Sequence, residues 1–277
     1  MRFAGEIEGA AMKTNFHTHT VFCDGKSTAE EVVQSAVQKG FSAIGFSGHG
    51  YAAYDLRCCI KDTEAYIREV QRLKEAYRDQ LQVYLGVEED ALSPVDRSRF
   101  DYIIGSSHYI YHRGEYYSID GSYEAFKQCL ALFEGNPLRF AEAYYSTFCD
   151  YIRRRKPDII GHFDLVTKFD ELDTPLFLQN PAYRDLAETY LVEAAKSGSI
   201  FEVNTGAIAR GLRTAPYPSA ELLHVLKKLD APLILSSDSH HKDTLDFAFE
   251  EAKHYLREIG FRQIFTLQQN GFTAYDL

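Results

Sequence analysis

Short apolar runs alternate with longer amphipathic stretches along almost the whole chain. The runs Lys13–His19, Ser42–Ser47, Gln82–Glu88, Asp101–Ser106, Asp158–His162, Ile200–Asn204, Pro232–Ser237 and Gln263–Leu267 read as strands. Between them, apolar positions recur at helical spacing over Thr28–Lys39, Asp62–Asp79, Ser122–Phe133, Leu138–Lys156, Pro181–Lys196, Ser219–Lys228 and Thr244–Ile259. Ser27-Thr28 and Ser219 stand where N-caps belong, and Gly40 and Gly260 where a left-handed residue closes a helix. Strands that are apolar throughout and separated by helices are what a buried parallel sheet requires. Seven or eight such units favour a closed β/α barrel. An open doubly wound sheet fits less well, because the first strand-to-helix turn has no Gly-rich phosphate fingerprint.

Composition narrows the partners. The 277 residues are 45% hydrophobic and 25% charged, the profile of a soluble globular protein. Acidic residues outnumber basic ones by 40 to 30, so the average field repels phosphate backbones and no nucleic-acid partner is expected. No apolar run approaches the roughly 20 residues that span a bilayer, so no membrane partner is expected either. Residues 1–11 lack the apolar core of a signal peptide and precede the first patterned segment. They read as an N-terminal extension outside the fold, with 12–277 as a single domain. The five cysteines are odd in number and show no C-x-x-C spacing, which argues against a disulfide framework or zinc knuckle and points to the reducing cytoplasm.

The histidines carry the chemistry. His17, His19, His49, His108, His162, His240 and His241 lie at or just past the ends of expected strands, His112 in a loop, and only His224 and His254 within helices. In a β/α barrel the strand C-termini meet on one rim, so these imidazoles converge there with Asp24, Glu88, Glu89, Asp90, Asp164 and Asp238. The spacing of two in His17-Thr18-His19 puts both rings on one side of an extended strand, and Asp238-Ser239-His240 pairs a carboxylate with an imidazole in the same way. Burying so many titratable groups is costly unless a cation lies between them, and Glu88 is suited to bridge two ions. Chance recurrence explains one such pair but not the whole set, whereas His112, His224 and His254 read as ordinary polar residues. Gly25-Lys26-Ser27 is no P-loop, since Thr20 replaces the first glycine. Gly45-Phe46-Ser47-Gly48-His49 is no nucleophile elbow, since histidine replaces the last glycine. Arg153-Arg154-Arg155-Lys156 reads as a solvated helix C-terminus, and Tyr109, Tyr111, Tyr116 and Tyr117 as a wall over the site or as loop packing.

From Met12 nearly to its end the chain resembles the PHP (polymerase and histidinol phosphatase) superfamily, and within it the histidinol-phosphate phosphatases. The resemblance rests on His17/His19 with Asp24, Ser47-Gly48-His49, Gly86-Val87-Glu88-Glu89-Asp90, Gly105-Ser106-Ser107-His108, Gly161-His162-Phe163-Asp164-Leu165 and Ser237-Asp238-Ser239-His240. It implies a distorted (β/α)7 barrel with two or three divalent ions at the C-terminal rim. One ion takes His17, His19, Glu88 and Asp238, a second Glu88, His108 and His162, and a third Asp24, His49 and His240. Zinc, iron and manganese all suit such ligands. Glu202-Val203-Asn204-Thr205-Gly206 with Arg210, Arg213 and Tyr217-Pro218-Ser219 resembles the narrower phosphatase group. Arg210 first, then Arg213, Lys168 and Ser106 are the candidate substrate contacts, because an arginine fork matches phosphate oxygens.

The implied reaction is hydrolysis of a small phosphate ester, L-histidinol phosphate, by a metal-bridging hydroxide. Asp238, His240 and Arg210 act in it, and His241 is a candidate general acid. The tyrosine-rich loop with Glu89 or Asp90 is a candidate receiver for a cationic leaving group. Three alternatives remain at this stage: a broader PHP phosphoesterase, an amidohydrolase-type metal enzyme and a non-catalytic, metal-stapled module.

Overall fold

The computed structural model describes residues 12–277, so the expected extension, residues 1–11, lies outside the described residues. In chain order the strands are β1 (Thr14–Asn15), β2 (Ala43–Phe46), β3 (Gln82–Asp90), β4 (Tyr102–Ser106), β5 (Tyr109–His112), β6 (Glu115–Ser118), β7 (Ile159–Ile160), β8 (Ile200–Asn204), β9 (Leu233–Ser236), β10 (Gln263–Gln268) and β11 (Gly271–Asp276). Seven of them form one parallel sheet in the order β1-β2-β3-β4-β7-β8-β9. The sheet curls until its two edges meet just beyond the last strand. There the His19 amide donates to the Ser239 carbonyl at 2.8 Å, and the Ser239 amide to the His17 carbonyl at 3.1 Å. The result is the expected distorted, nearly closed barrel.

The helices start where the sequence placed caps. Thr28 accepts from the Glu31 amide while the Glu31 carboxylate accepts from the Thr28 amide, opening the helix Ala29–Gln38. Asn136 and Asn180 cap helices whose first residue is proline, Pro137–Arg155 and Pro181–Ala195. Ser219 differs from expectation: its side chain caps nothing, and its amide donates instead to Asp164 Oδ2 at 2.9 Å. The last helix begins at Phe249 rather than near Thr244, because Lys242–Thr244 forms a separate 3-10 turn.

Packing separates an outer layer, where helices cover the sheet, from a barrel interior of Phe16, Ala43, Tyr84, Tyr102, Ile104, Ile159, Ile200 and Ile234. Tyr102 is the central post of that interior. Its hydroxyl donates to the Phe16 carbonyl at 2.6 Å, and its ring fills space left by Gly45 and Gly86. A Cβ at Gly86 would stand 2.2 Å from Tyr102 Cζ, so only glycine fits there.

The eighth expected strand does not enter the barrel. Only some of its side chains are buried, unlike those of the barrel strands, which are covered on both faces. It pairs antiparallel with β11 instead, and Leu267 of this hairpin joins the interior cluster at the base of the barrel. A second hairpin, β5–β6, leaves the barrel directly after His108 and contains the tyrosine-rich segment. Among the described residues no helix is long and apolar enough to cross a membrane.

Candidate metal centre

Each barrel strand ends in polar residues because its rising apolar run stops at the rim, where side chains can face one another across the barrel mouth. β1 runs into His17 and His19, β2 into His49, β4 into His108, β7 into His162 and β9 into Asp238 and His240. Alternation along β3 turns Tyr84 into the barrel and sets Glu88 facing inward above it, while the next residue, Glu89, faces out. The nine side chains His17, His19, Asp24, His49, Glu88, His108, His162, Asp238 and His240 all fall into overlapping groups close enough to share metal ions.

Glu88 is the hub. Its Oε2 lies 3.3 Å from His17 Nε2, 3.5 Å from His19 Nε2 and 2.9 Å from His49 Nδ1. Its Oε1 faces His162 Nε2 at 3.0 Å and His108 Nε2 at 3.3 Å. Asp238 Oδ1 lies 3.2 Å from His19 Nε2 and 3.6 Å from His17 Nε2. Asp24 sits lower in the loop after β1, with Oδ2 3.3 Å from His240 Nε2 and Oδ1 3.7 Å from His49 Nε2. His49 therefore faces two ways, toward Glu88 and toward Asp24, and the groups overlap more than three separate ligand sets would.

Buried His17 Nε2, His19 Nε2, Glu88 Oε2 and Asp24 Oδ1 have no hydrogen-bond partner. Unpartnered buried acceptors are expensive, and their separations match the edge of about 3.3 Å expected between ligands held near 2.05 Å from a tetrahedral ion. The donor set of imidazoles and carboxylates fits divalent zinc, iron or manganese.

Electrostatics point the same way. Burial disfavours a charged His17, yet Glu202, Glu88 and Asp238 raise its pKa well above the ordinary histidine value. Burial likewise opposes charge on His108, but Glu88 and Asp90 push it up to about 10. Burial works against ionised Glu88 and Asp238 too, and neighbouring histidines, with Arg210 at Asp238, hold both well below the usual carboxylate range. The carboxylates thus demand positive charge among them, which bound cations supply. His19 stays in the neutral, ligating form, its pKa lowered to about 3 by burial and by His240 and His49. Asp238 also sits in left-handed backbone, φ +47°, a conformation tolerated where a site dictates it.

The centre opens into a cavity of about 630 Å³ whose lining includes Arg210, Tyr54, Asp55, Tyr109 and Asp120. Arg210 bends over Asp238, with Nη2 3.0 Å from Oδ2 and Nη1 3.2 Å from its carbonyl. That approach requires Gly206, since a Cβ there would meet Arg210 Nη2 at 2.9 Å. Lys168 reaches the cavity, but its ammonium is held by the Asp120 carbonyl at 2.7 Å and Oδ2 at 3.0 Å.

Other expected contacts fall elsewhere. Arg213 is buried behind the cavity wall, its guanidinium 4.3 Å over the Tyr217 ring and donating to Thr167 Oγ1 at 2.9 Å. Its loop folds inward at that point, which the spacing from Arg210 does not reveal. Ser106 is buried beneath Gly161 and does not line the cavity. His241, half-exposed, accepts from the Asp243 amide at 3.3 Å outside the cavity. Glu89, on the outward face of β3, accepts both arms of Arg155 and the Tyr151 hydroxyl, so Arg155 is an anchor and not a free member of a solvated basic cluster. Asp90 accepts from the Tyr54 hydroxyl at 2.7 Å and backs His108 Nδ1 at 3.3 Å.

One residue belongs to a motif of the sequence without a role assigned to it there. Glu202, fully buried on β8, lies 2.6 Å from His17 Nδ1. The signal for it is a carboxylate set among the apolar Ile200, Phe201 and Val203 of a buried strand.

The PHP domain profile matches residues 15–206. A Schizosaccharomyces pombe protein named “Probable histidinol-phosphatase” is 29% identical over 281 residues, covering 93% of this chain and 90% of the other. The histidinol-phosphatase of Bacillus subtilis is 25% identical, with 86% and 97% covered. The crystal structure of histidinol phosphate phosphatase from Lactococcus lactis, complexed with zinc, L-histidinol and phosphate, superposes with a TM-score of 0.71 at 18% identity. That match covers 94% of this chain and 98% of the other, and it is a likeness of fold.

Proposed function

Because the chain belongs to the PHP domain family, we propose that it is a metal-dependent phosphomonoesterase that hydrolyses L-histidinol phosphate to L-histidinol and phosphate. The observation that carries this reading is a buried, cation-demanding cluster opening into a cavity whose lining combines an arginine with anionic and aromatic groups. We assign His17, His19, Glu88 and Asp238 to one ion, Glu88, His108 and His162 to a second, and Asp24, His49 and His240 to a third. When bound, such ions supply Lewis-acid charge for a phosphoryl oxygen and make water nucleophilic at neutral pH.

The chain's own groups do the rest. Arg210 offers a fork of donors for phosphoryl oxygens and takes its orientation from Asp238. The leaving group of this substrate carries an amine and an imidazole. Asp120 Oδ2 is occupied by Lys168, while the same carboxylate lines the cavity wall beside Tyr54, Asp55 and Tyr109. Anionic oxygens beside aromatic faces suit a cationic group. Residues 12–277 act as one domain in this reading, and the cysteines, all free among the described residues, suit the reducing cytoplasm.

The test is phosphate release by metal-loaded protein from L-histidinol phosphate, an aryl phosphate and a short oligonucleotide. A kcat/KM advantage of about a hundredfold for histidinol phosphate, about 3 kcal/mol, supports the reading. Equal turnover of the small esters leaves a broader phosphoesterase. No turnover with metal bound refutes it.

A further inference from the structure

Glu202 is not among the nine grouped side chains, yet it touches one of them directly. It stands on β8 above Ile200, which lines the barrel interior, and its side chain is fully buried. Three donors converge on it. His17 Nδ1 lies 2.6 Å from Oε1, while the His162 amide and Asn204 Nδ2 each donate to Oε2 at 2.9 Å. The Asn204 amide orientation is fixed independently, because its Oδ1 accepts from the Gly206 amide at 2.8 Å.

We propose that Glu202 is a positioning residue that sets the metal affinity of the centre by fixing the His17 ring and the His162 backbone at once. The inference rests on the metal reading of that site. An ionised carboxylate only accepts, so His17 must carry its proton on Nδ1 and present the Nε2 lone pair to the cluster. That Nε2 is the unpartnered atom 3.3 Å from Glu88 Oε2. The second oxygen anchors the chain at His162, which faces the other side of Glu88. One buried group thus holds ligands belonging to two ions. Through Asn204 it also steadies Gly206, the position over which Arg210 folds.

Glutamine is a poor substitute here despite its matching shape. It offers one acceptor atom where three donors converge, and in either amide orientation its NH2 faces another donor. Aspartate keeps the charge on a shorter stem.

The experiment compares the full chain with Glu202→Gln and Glu202→Asp, using Zn2+ as the probe. Zinc affinity is read by competition with a chromogenic chelator, and Tm is taken with and without metal. The expected result is a 10- to 100-fold loss of zinc affinity in E202Q, with a smaller metal-induced rise in Tm, and partial recovery in E202D. A purely structural role lowers both Tm values equally and leaves affinity unchanged, which overturns the proposal. Should E202Q not fold, weakened zinc binding by E202D supports the proposal and wild-type affinity in E202D overturns it. A wild-type chain that takes up no zinc overturns the metal reading and this inference together, whereas wild-type uptake with unaltered variants overturns this inference alone.

Discussion

Asp238 divides its two oxygens between Arg210 and the histidines: Oδ2 accepts from the Arg210 guanidinium at 3.0 Å, while Oδ1 faces His19 Nε2 at 3.2 Å. The arginine proposed to bind phosphate is therefore aligned by a proposed metal ligand. Arg210→Lys should raise KM for the phosphate ester about tenfold or more, with a smaller change in kcat, because an ammonium cannot reproduce the fork. Steady-state kinetics check this, and an unchanged KM removes Arg210 from the phosphate site.

Metal dependence has a defined direction with pH. Ligating imidazoles must be unprotonated. Burial opposes their charge, but without a cation the neighbouring carboxylates hold the His17 pKa well above the ordinary value and push that of His108 up to about 10. Protons therefore compete with metal already from that range downward, and affinity falls steadily as pH drops. Dialysis of loaded protein at pH 5 should strip metal and activity, and metal returned at pH 7.5 should restore both. His17→Ala should leave phosphate release at background at any metal concentration, as read by metal analysis alongside the assay.

Asp120 is the residue on which leaving-group preference should turn. Burial opposes its ionisation, but Lys168 and His108 lower its pKa to about 2, so it stays anionic wherever the enzyme works. Asp120→Asn should raise KM for L-histidinol phosphate about tenfold, worth about 1.4 kcal/mol, and change that of an aryl phosphate, whose leaving group bears no positive charge, by less than about twofold. Parallel losses on both substrates would show that the residue merely supports the wall.

Within the barrel, Gly86→Ala should destabilise the fold by about 3 kcal/mol or more. The added methyl meets the Tyr102 ring at 2.2 Å, and that ring is tied to the Phe16 carbonyl. Urea denaturation with an unchanged midpoint would mean that Tyr102 moves aside freely.

Asp246 links stability to acid. Burial opposes its charge, and Lys39 at 2.7 Å with Lys13 at 2.9 Å lowers its pKa in the folded state. A depressed carboxylate contributes stability above its unfolded pKa near 3.9, and that stability is lost as pH falls through the folded value. Asp246→Asn should cost about 1 kcal/mol at pH 7 and nothing at the acid end, measured as the difference between the two stability curves.

The convergence of the metal-ligand candidates was legible because each is a polar residue ending an apolar run, and strand ends meet in a barrel. His112, His224 and His254, which lack that placement, indeed lie outside the centre. What the sequence withheld depends on side-chain direction. Glu88 and Glu89 are adjacent and identical in type, but strand alternation sends one to the cluster of histidines and the other to Arg155. Arg210 and Arg213 share a loop, yet only the first reaches the cavity. Glu202 hid inside a motif whose arginine drew the attention. Gln263–Leu267 read as a strand whose pairing stayed open, because a local run of apolar residues does not say which partner it takes; that partner is β11.

The backbone bonds between His17, His19 and Ser239 join the first strand of the barrel to the last. The candidate ligands on either side of that junction are separated by some 220 residues, so neither the ring of strands nor the full cluster exists until the chain has been made through His240. A ribosome-bound fragment ending before β9 presents an open sheet edge and an incomplete nest of imidazoles. Closing the ring and completing the set of candidate ligands are then a single late event, because Asp238 and His240 are the last of the nine to be made.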